Sequence, residues 1–477
     1  MESADKFHDE CGLMAVWNHP EAANLTYLGL YAQQHRGQEG AGVVSVHRNG
    51  DDEPHFSVHK GLGLVADVFS DFDFNQLPGS VAIGHVRYTT AGGNKLANVQ
   101  PFVADISLGY TAVAHNGNLI NADELRREMI QEGSIFGTTS DTETILHLLA
   151  RRSCDQPLVE AVIASLQRVM GAFSLLILFE DRLIAVRDRH GLRPLAMGTL
   201  NGATVFASET CAFDLIGATY VRDVAPGELV EVMRDGSTRS YFPFGFAREA
   251  PCIFEFVYFA RPDSNVFGKN VYQLRKNMGA ELARENKVKA DLVTAVPDSG
   301  TAAAIGYAEA SGIPFEMGLV RNHYVGRTFI EPKQSIRDFG VKIKLNPNPE
   351  LLKGKSIVVV DDSIVRGTTS RKLVTMLRQA GAREIHLRIS SPPTTDPCFY
   401  GIDTPDKSEL IASKHSVEEI AQYIGVDSLA YLSLDGLYRA VDSTPGKFCD
   451  ACFSGKYPAG TPLSITPKRQ QMLFEAK

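Results

Sequence analysis

Ser356 to Thr369 reads SIVVVDDSIVRGTT, and no other stretch limits the fold of this chain as tightly. Ile357 to Val360 is wholly apolar and mostly β-branched, the pattern of a parallel strand buried on both faces. Asp361 and Asp362 then stand at its carboxyl end, where open α/β sheets bind their ligands, and paired carboxylates there can accept bonds from sugar hydroxyls or hold a hydrated Mg²⁺. Ser363, Gly367, Thr368 and Thr369 form a small-residue loop leading into Ser370 to Gly381, where Leu373, Val374, Met376 and Leu377 make one helical face that stops at a glycine. Free backbone N–H groups at such a helix start make an anion site. An ordinary βα turn with a solvated acidic pair has the same pattern, so the pattern alone leaves both readings open.

VVVDDSIVRGTT resembles, over its whole length, the phosphoribosyl pyrophosphate loop of the type I phosphoribosyltransferases. That resemblance implies that Asp361 and Asp362 face the ribose hydroxyls and a metal, while Ser363, Arg366, Gly367, Thr368 and Thr369 enclose the 5′-phosphate. Other nucleotide motifs fail: no GxxxxGK[ST] occurs, and the partial GxGxxA at Gly61 to Ala66 reads as a glycine turn in a β-rich region.

At 477 residues the chain has room for two to four domains of about 150 residues each. Its 44% hydrophobic and 22% charged residues fit a soluble globular enzyme. No apolar run is long enough to span a bilayer, and the polar, acidic start MESADKFHDE has no apolar core of a secretory signal, which points to the cytoplasm. A net charge of −8 argues against nonspecific nucleic-acid binding. Seven cysteines in a chain of this length suggest reduced thiols, metal ligands or a nucleophile rather than a disulfide framework.

Residues 11 to about 245 read as β-rich, with strands expected at Gly12 to Trp17, Val81 to His85, Thr111 to Ala114, Phe173 to Phe179 and Leu183 to Val186. Helical periodicity covers Leu25 to His35 and Thr142 to Arg152, with Asp141 as N-cap of the second. No periodicity continues across Arg234 to Pro251, which sets the boundary there. Beyond it Leu292 to Val296, Ile357 to Val360 and Ile385 to Ile389 alternate with helical segments, as in a doubly wound parallel sheet.

Cys11 opens the first apolar strand after ten residues of acidic leader; alone it reads as a core thiol. Four later stretches change this: GLYAQQHRGQEGAG from Gly29, GHVRYTTAG from Gly84, AHNGNL from Ala114 and TTSDTE from Thr138 resemble, in order, the motifs of N-terminal-nucleophile glutaminase domains. With the downstream loop, nearly the full chain resembles the glutamine phosphoribosylpyrophosphate amidotransferase family. The resemblance implies an αββα glutaminase sandwich over 11–245 behind a propeptide at 1–10, followed by a phosphoribosyltransferase domain over 246–477. It implies that leader removal frees the α-amine of Cys11, which titrates near ~8 and so offers a base where an amide offers none. It further implies that Arg87 grips the α-carboxylate of glutamine and Asp141 its α-ammonium, while Asn116 and the Gly117 N–H form an oxyanion hole.

Ala295 to Gly300, AVPDSG, is by composition a turn; by resemblance it binds pyrophosphate, with Ser299 near Mg²⁺. Arg321 to Leu345 is rich in Lys and Arg, reading as a solvated basic face, or by resemblance as a loop that closes over the anionic substrate. Cys252, Cys398, Cys449 and Cys452 are, from spacing, ambiguous between a zinc site, an iron-sulfur cluster and unrelated thiols, with zinc favoured. Resemblance implies instead the branch of the family that carries one [4Fe-4S] cluster per subunit beside one Mg²⁺. Cys154 and Cys211 are expected in the core. The family further implies a cytoplasmic homotetramer, in the pathway of purine synthesis, acting on glutamine and phosphoribosyl pyrophosphate and inhibited by purine nucleotides. Two rivals are weaker. A purine-sensing regulator needs a basic nucleic-acid-binding element the chain lacks, and glutaminases joined to other synthases lack SIVVVDDSIVRGTT.

Overall fold

The computed structural model describes residues 11–47, 54–88, 95–245, 247–322 and 345–462. The leader at 1–10, Thr89 to Gly92 of the GHVRYTTAG motif, and nearly all of the basic stretch, including Arg327, Lys333, Arg337, Lys342 and Lys344, lie outside the described residues.

The first part of the chain stacks two antiparallel sheets, of seven and six strands. The seven-stranded sheet has Gly12–Trp17 at its centre, between Ala203–Ala207 and Val81–Arg87. Its side chains alternate with the period of two that a strand imposes. Leu13, Ala15 and Trp17 enter the core between the sheets with Ala112, Ala114, Leu176 and Leu178. Met14 and Val16 pack the opposite way, against the helices Ala22–Ala32 and Cys211–Ile216. On the far side of the six-stranded sheet, Val113, Leu175 and Ile177 meet the helices Ala122–Gln131, Thr142–Ala150 and Leu158–Leu166. Helix, sheet, sheet, helix is the expected αββα order. Both faces are covered at the centre of each sheet, which is why strands such as Gly12–Trp17 and Gly171–Leu178 are continuous buried apolar runs instead of alternating ones.

The second part is built on a parallel sheet of four strands, Leu292–Ala295, Ser356–Asp361, Glu384–Ile389 and Ser428–Tyr431. Val358 and Val360 face the helices Val271–Glu285 and Thr301–Ser311, while Ile357 and Val359 face Thr368–Gln379 and Val417–Ile424. Helices therefore cover both faces, as a doubly wound sheet requires.

Four expectations need correction. Thr238–Tyr241 is a strand inside the stretch read as aperiodic; it is a mostly exposed, polar edge strand, so no hydrophobic alternation marks it. The first helix begins at Ala22 and gives way to a 3₁₀ turn at Gln34–Arg36. Asp141 stands at the N-cap position of the following helix but makes no side-chain cap bond there: its backbone is already helical and its carboxylate is bonded elsewhere. Cys154 is exposed, although Cys211 is buried as expected.

Candidate active sites

Cys11 sits just before the central strand, in which Gly12 pairs with Val86, so the next position outward sets the thiol beside Arg87. Cys11 and Arg87 line one small polar cleft with Gly117 and Asp141, together with Tyr88, Gln100, His115 and Ser140. Three of the last four lie within motifs already singled out. Gln100 lies in none, yet it orders this wall: its Oε1 accepts from the His115 N–H at 2.7 Å and its Nε2 donates to Thr142 Oγ1 at 3.1 Å.

The thiol is buried, which pushes it up to about 11, with a backbone hydrogen bond at Tyr88 and then the Arg87 charge pulling the other way. At neutral pH it is therefore a thiol, and a nucleophile here needs a base to take its proton. Asp141 is fixed from below, its Oδ2 accepting from the Leu119 N–H at 3.0 Å. Asn116 is 1% exposed, and its Nδ2 donates to Ser208 Oγ at 3.5 Å; the same hydroxyl accepts from the Leu13 N–H at 3.0 Å, joining the two sheets behind Cys11. Gly117 has φ +145°, and a Cβ there would stand 2.1 Å from the Ala172 carbonyl oxygen, so no larger residue fits this bend. From the second half of the chain Gly401 packs directly on Gly117, and Asn118 Nδ2 donates to the Phe399 carbonyl at 2.9 Å.

The second site lies at the carboxyl ends of the first two parallel strands, where Ala295 pairs with Val360 and the Val296 N–H donates to the Val360 carbonyl at 2.8 Å. This brings the Pro297 to Gly300 turn, with Ser299, beside Asp361 and Asp362, which are 3% and 1% exposed. Asp361 Oδ1 accepts from the Asp362 N–H at 2.9 Å, and the Ser363 hydroxyl donates to the Asp362 carboxylate. Ser390 N–H and Ser391 Oγ hold the carbonyls of Asp361 and Asp362 at 2.9 and 2.8 Å. Gly367, at φ +78°, turns the chain into the helix that begins at Thr368, followed by Thr369 in its first turn. The Nη2 of Arg366 donates to Glu409 at 2.8 Å.

The four cysteines singled out by context converge. The Ile253 N–H donates to the Cys449 carbonyl at 3.1 Å and the Cys449 N–H to Pro251 at 2.8 Å, which ties Cys252 to the C-terminal segment. The Tyr400 N–H donates to Cys398 Sγ at 3.3 Å. Burial raises Cys449 and Cys452, and the neighbouring thiols, Cys252 and Cys398 among them, raise both further. Among the described residues, no group of three His, Cys, Asp or Glu side chains is drawn close enough to hold a single metal ion.

Residues 86–214 match a model of the glutamine amidotransferase domain, which covers Arg87, Asn116, Gly117 and Asp141. Fold and thiol cleft together thus define a glutamine amidotransferase. Amidophosphoribosyltransferase of Bacillus subtilis is 51% identical over 457 residues, 94% of each chain, and the chloroplastic one of Vigna aconitifolia is 53% identical over 98% of this chain and 95% of its own. A solved structure described as glutamine phosphoribosylpyrophosphate amidotransferase from B. subtilis complexed with ADP and GMP superposes with a TM-score of 0.88 at 50% identity, over 94% of this chain and 98% of that one. Another, described as the allosteric regulatory enzyme of purine biosynthesis, gives the same score and identity over 94% and 96%. The chain belongs to the amidophosphoribosyltransferase family.

Proposed function

We propose that the chain makes 5-phosphoribosylamine, pyrophosphate and glutamate from phosphoribosyl pyrophosphate, glutamine and water, the first committed step of purine synthesis. The observation that carries this is the convergence of Cys11, at the head of the first strand, with Arg87, Gly117 and Asp141, from three separate motifs, on one cleft. In the proposed reaction the Cys11 sulfur attacks the side-chain amide carbon of glutamine while the freed α-amine takes the thiol proton and passes it to the leaving nitrogen. Asn116 and the Gly117 N–H stabilise the oxyanion, and water then cleaves the thioester to release glutamate. Arg87 and Asp141 hold the two charged ends of the amino acid. Ammonia moves internally to the second site and attacks C1 of the sugar, displacing pyrophosphate. The contact of Gly401 with Gly117 supports such a transfer, since it joins the second half of the chain to the proposed oxyanion hole.

At the second site Asp361 and Asp362 orient the ribose hydroxyls, and the loop from Ser363 to Thr369 receives the phosphate. Arg366 is proposed for the same loop, its guanidinium held by Glu409. Ser299, Asp361 and Asp362 would hold one Mg²⁺, which when bound would neutralise charge on the pyrophosphate. Equal release of glutamate and pyrophosphate by leader-free protein given both substrates is the expected result. Glutamate release that never yields pyrophosphate would overturn the proposal.

One [4Fe-4S] cluster on Cys252, Cys398, Cys449 and Cys452 belongs to the same proposal. The donor set fits: these are four clustered thiols whose mutual repulsion as thiolates a cationic group relieves, with a backbone N–H aimed at Cys398. When bound it would cross-link the segment at Cys252 to the C-terminal one. Cys449→Ser is expected to lower iron content and the unfolding temperature with no selective loss of glutamine hydrolysis; stoichiometric zinc and no iron in anaerobically purified protein would refute this reading. Removal of the propeptide at 1–10 is proposed as well, to be read by intact mass. Seven free cysteines support a reducing, cytoplasmic setting. Inhibition by purine nucleotides is supported by the ADP and GMP of the B. subtilis relative. Homotetramer assembly, implied by the family resemblance, is to be measured by light scattering.

A further inference from the structure

We propose that Arg36 is a positioning residue for Cys11, held behind the nucleophile by a buried ion network that both halves of the chain build; the inference rests on reading Cys11 as the nucleophile. Arg36 Nε donates to the carbonyl oxygen of Cys11 at 3.3 Å. Its Nη1 and Nη2 donate to Glu255 at 3.0 and 2.7 Å, and Nη1 also donates to Glu209. All three side chains are 0% exposed. Arg193, equally buried, donates to Glu255 at 2.8 Å, so two guanidiniums face two carboxylates. Glu209 is bonded further by His35 at 2.7 Å, by the Arg261 N–H at 2.9 Å and by Ser264 Oγ at 2.7 Å.

The origin of these residues matters. Arg36, Arg193 and Glu209 come from the sandwich, whereas Glu255, Arg261 and Ser264 belong to the segment entering the second half, and Glu255 opens the π-helix Glu255–Phe259 that follows Cys252. Burial works against the charge on Arg36, but Glu255 and Glu209 more than reverse it. Moving any one member would strand a buried charge, so the network holds its members together. The carbonyl it fixes is that of the residue whose thiol must attack, where a misplacement of about 1 Å can cost on the order of 100-fold in rate. Planarity explains the residue type: a guanidinium fork reaches three acceptors at once, which a lysine ammonium on a flexible stem does not reproduce.

The test uses leader-free full-length protein with Arg36→Lys, which keeps a cation between the carboxylates but loses the fork. The probe is the diazoketone analogue of glutamine, 6-diazo-5-oxo-L-norleucine, with alkylation of Cys11 followed by mass. Labelling and glutamine kcat are expected to fall on the order of 100-fold, uncorrected by added glutamine, while ammonium-dependent synthesis stays within about twofold. Labelling at the wild-type rate would overturn the inference, as would an equal loss with both nitrogen sources, which would make the network a support of the fold only. If Arg36→Lys does not fold, Glu255→Gln, which keeps the shape and removes the charge that anchors Arg36, is expected to give the same split and is judged by the same outcomes. A wild-type Cys11 that resists the reagent would overturn the reading of the nucleophile itself, and this inference with it.

Discussion

Cys11→Ala is expected to lose glutamine-dependent synthesis by roughly three orders of magnitude or more, because nucleophile and base act as one unit on one residue. Synthesis from ammonium at raised pH should persist, since the second site needs only NH₃. A chain that keeps residues 1–10 should behave the same way. Burial holds the Cys11 thiol at about 11, so without a neighbouring base it stays protonated at neutral pH. In the processed protein the base would be an α-amine near ~8, so glutamine-dependent turnover should fall as pH drops below that value and the amine takes up a proton. Rates with both nitrogen sources, beside intact mass, check this. Full glutamine-dependent activity with the leader still attached would place the base elsewhere. Loss of both activities in folded Cys11→Ala protein would make the cysteine structural.

Asp361→Asn with Asp362→Asn is expected to lower ammonium-dependent synthesis by about 10²-fold or more, while basal hydrolysis of glutamine continues. Both side chains are nearly inaccessible, at 3% and 1%, so the shape-conserving amides should leave the strand and its neighbours in place. What changes is charge. Burial lowers Arg275 to about 10, with Asp362 the first of the carboxylates that raise it again, so removing that carboxylate also leaves a buried guanidinium less compensated. The double variant should therefore unfold at a lower temperature than the parent, a loss measured separately by calorimetry. Unchanged turnover with ammonium would move the sugar site away from these acids.

Much of both sites was legible because each piece of chemistry occupies a short contiguous motif. The strand Gly12–Trp17 matches its expected bounds, and Ile357 to Val360 extends by one residue at each end, to Ser356–Asp361. These are fully buried strands, where an unbroken apolar run is the direct signature of two covered faces. Ser428–Tyr431, the fourth parallel strand, was not legible: it is half-buried at the sheet edge, too short for its pattern to stand out. Asp141 was legible as a residue at the start of its helix, but that its carboxylate makes no cap bond and lines the Cys11 cleft was not, since this depends on its own backbone angles and on where the carboxylate turns.

By itself, the sequence determined the order of the residues that the proposed chemistry uses: Cys11, then Arg87, then Asn116 and Gly117, then Asp141, and much later a small-residue loop beside Asp361 and Asp362. Each is encoded locally, because a strand end or a helix start sets its own backbone N–H groups and carboxylates within a few residues. Tertiary structure alone decided which distant groups complete the sites. Gln100, outside every motif, orders His115 and Thr142, and Glu255 reaches across from the other half to the arginine that holds Cys11. Such partners leave no periodic trace, because they are selected by the stacking of the two sheets and the approach of the second half, which bury opposite charges where water cannot replace a missing one.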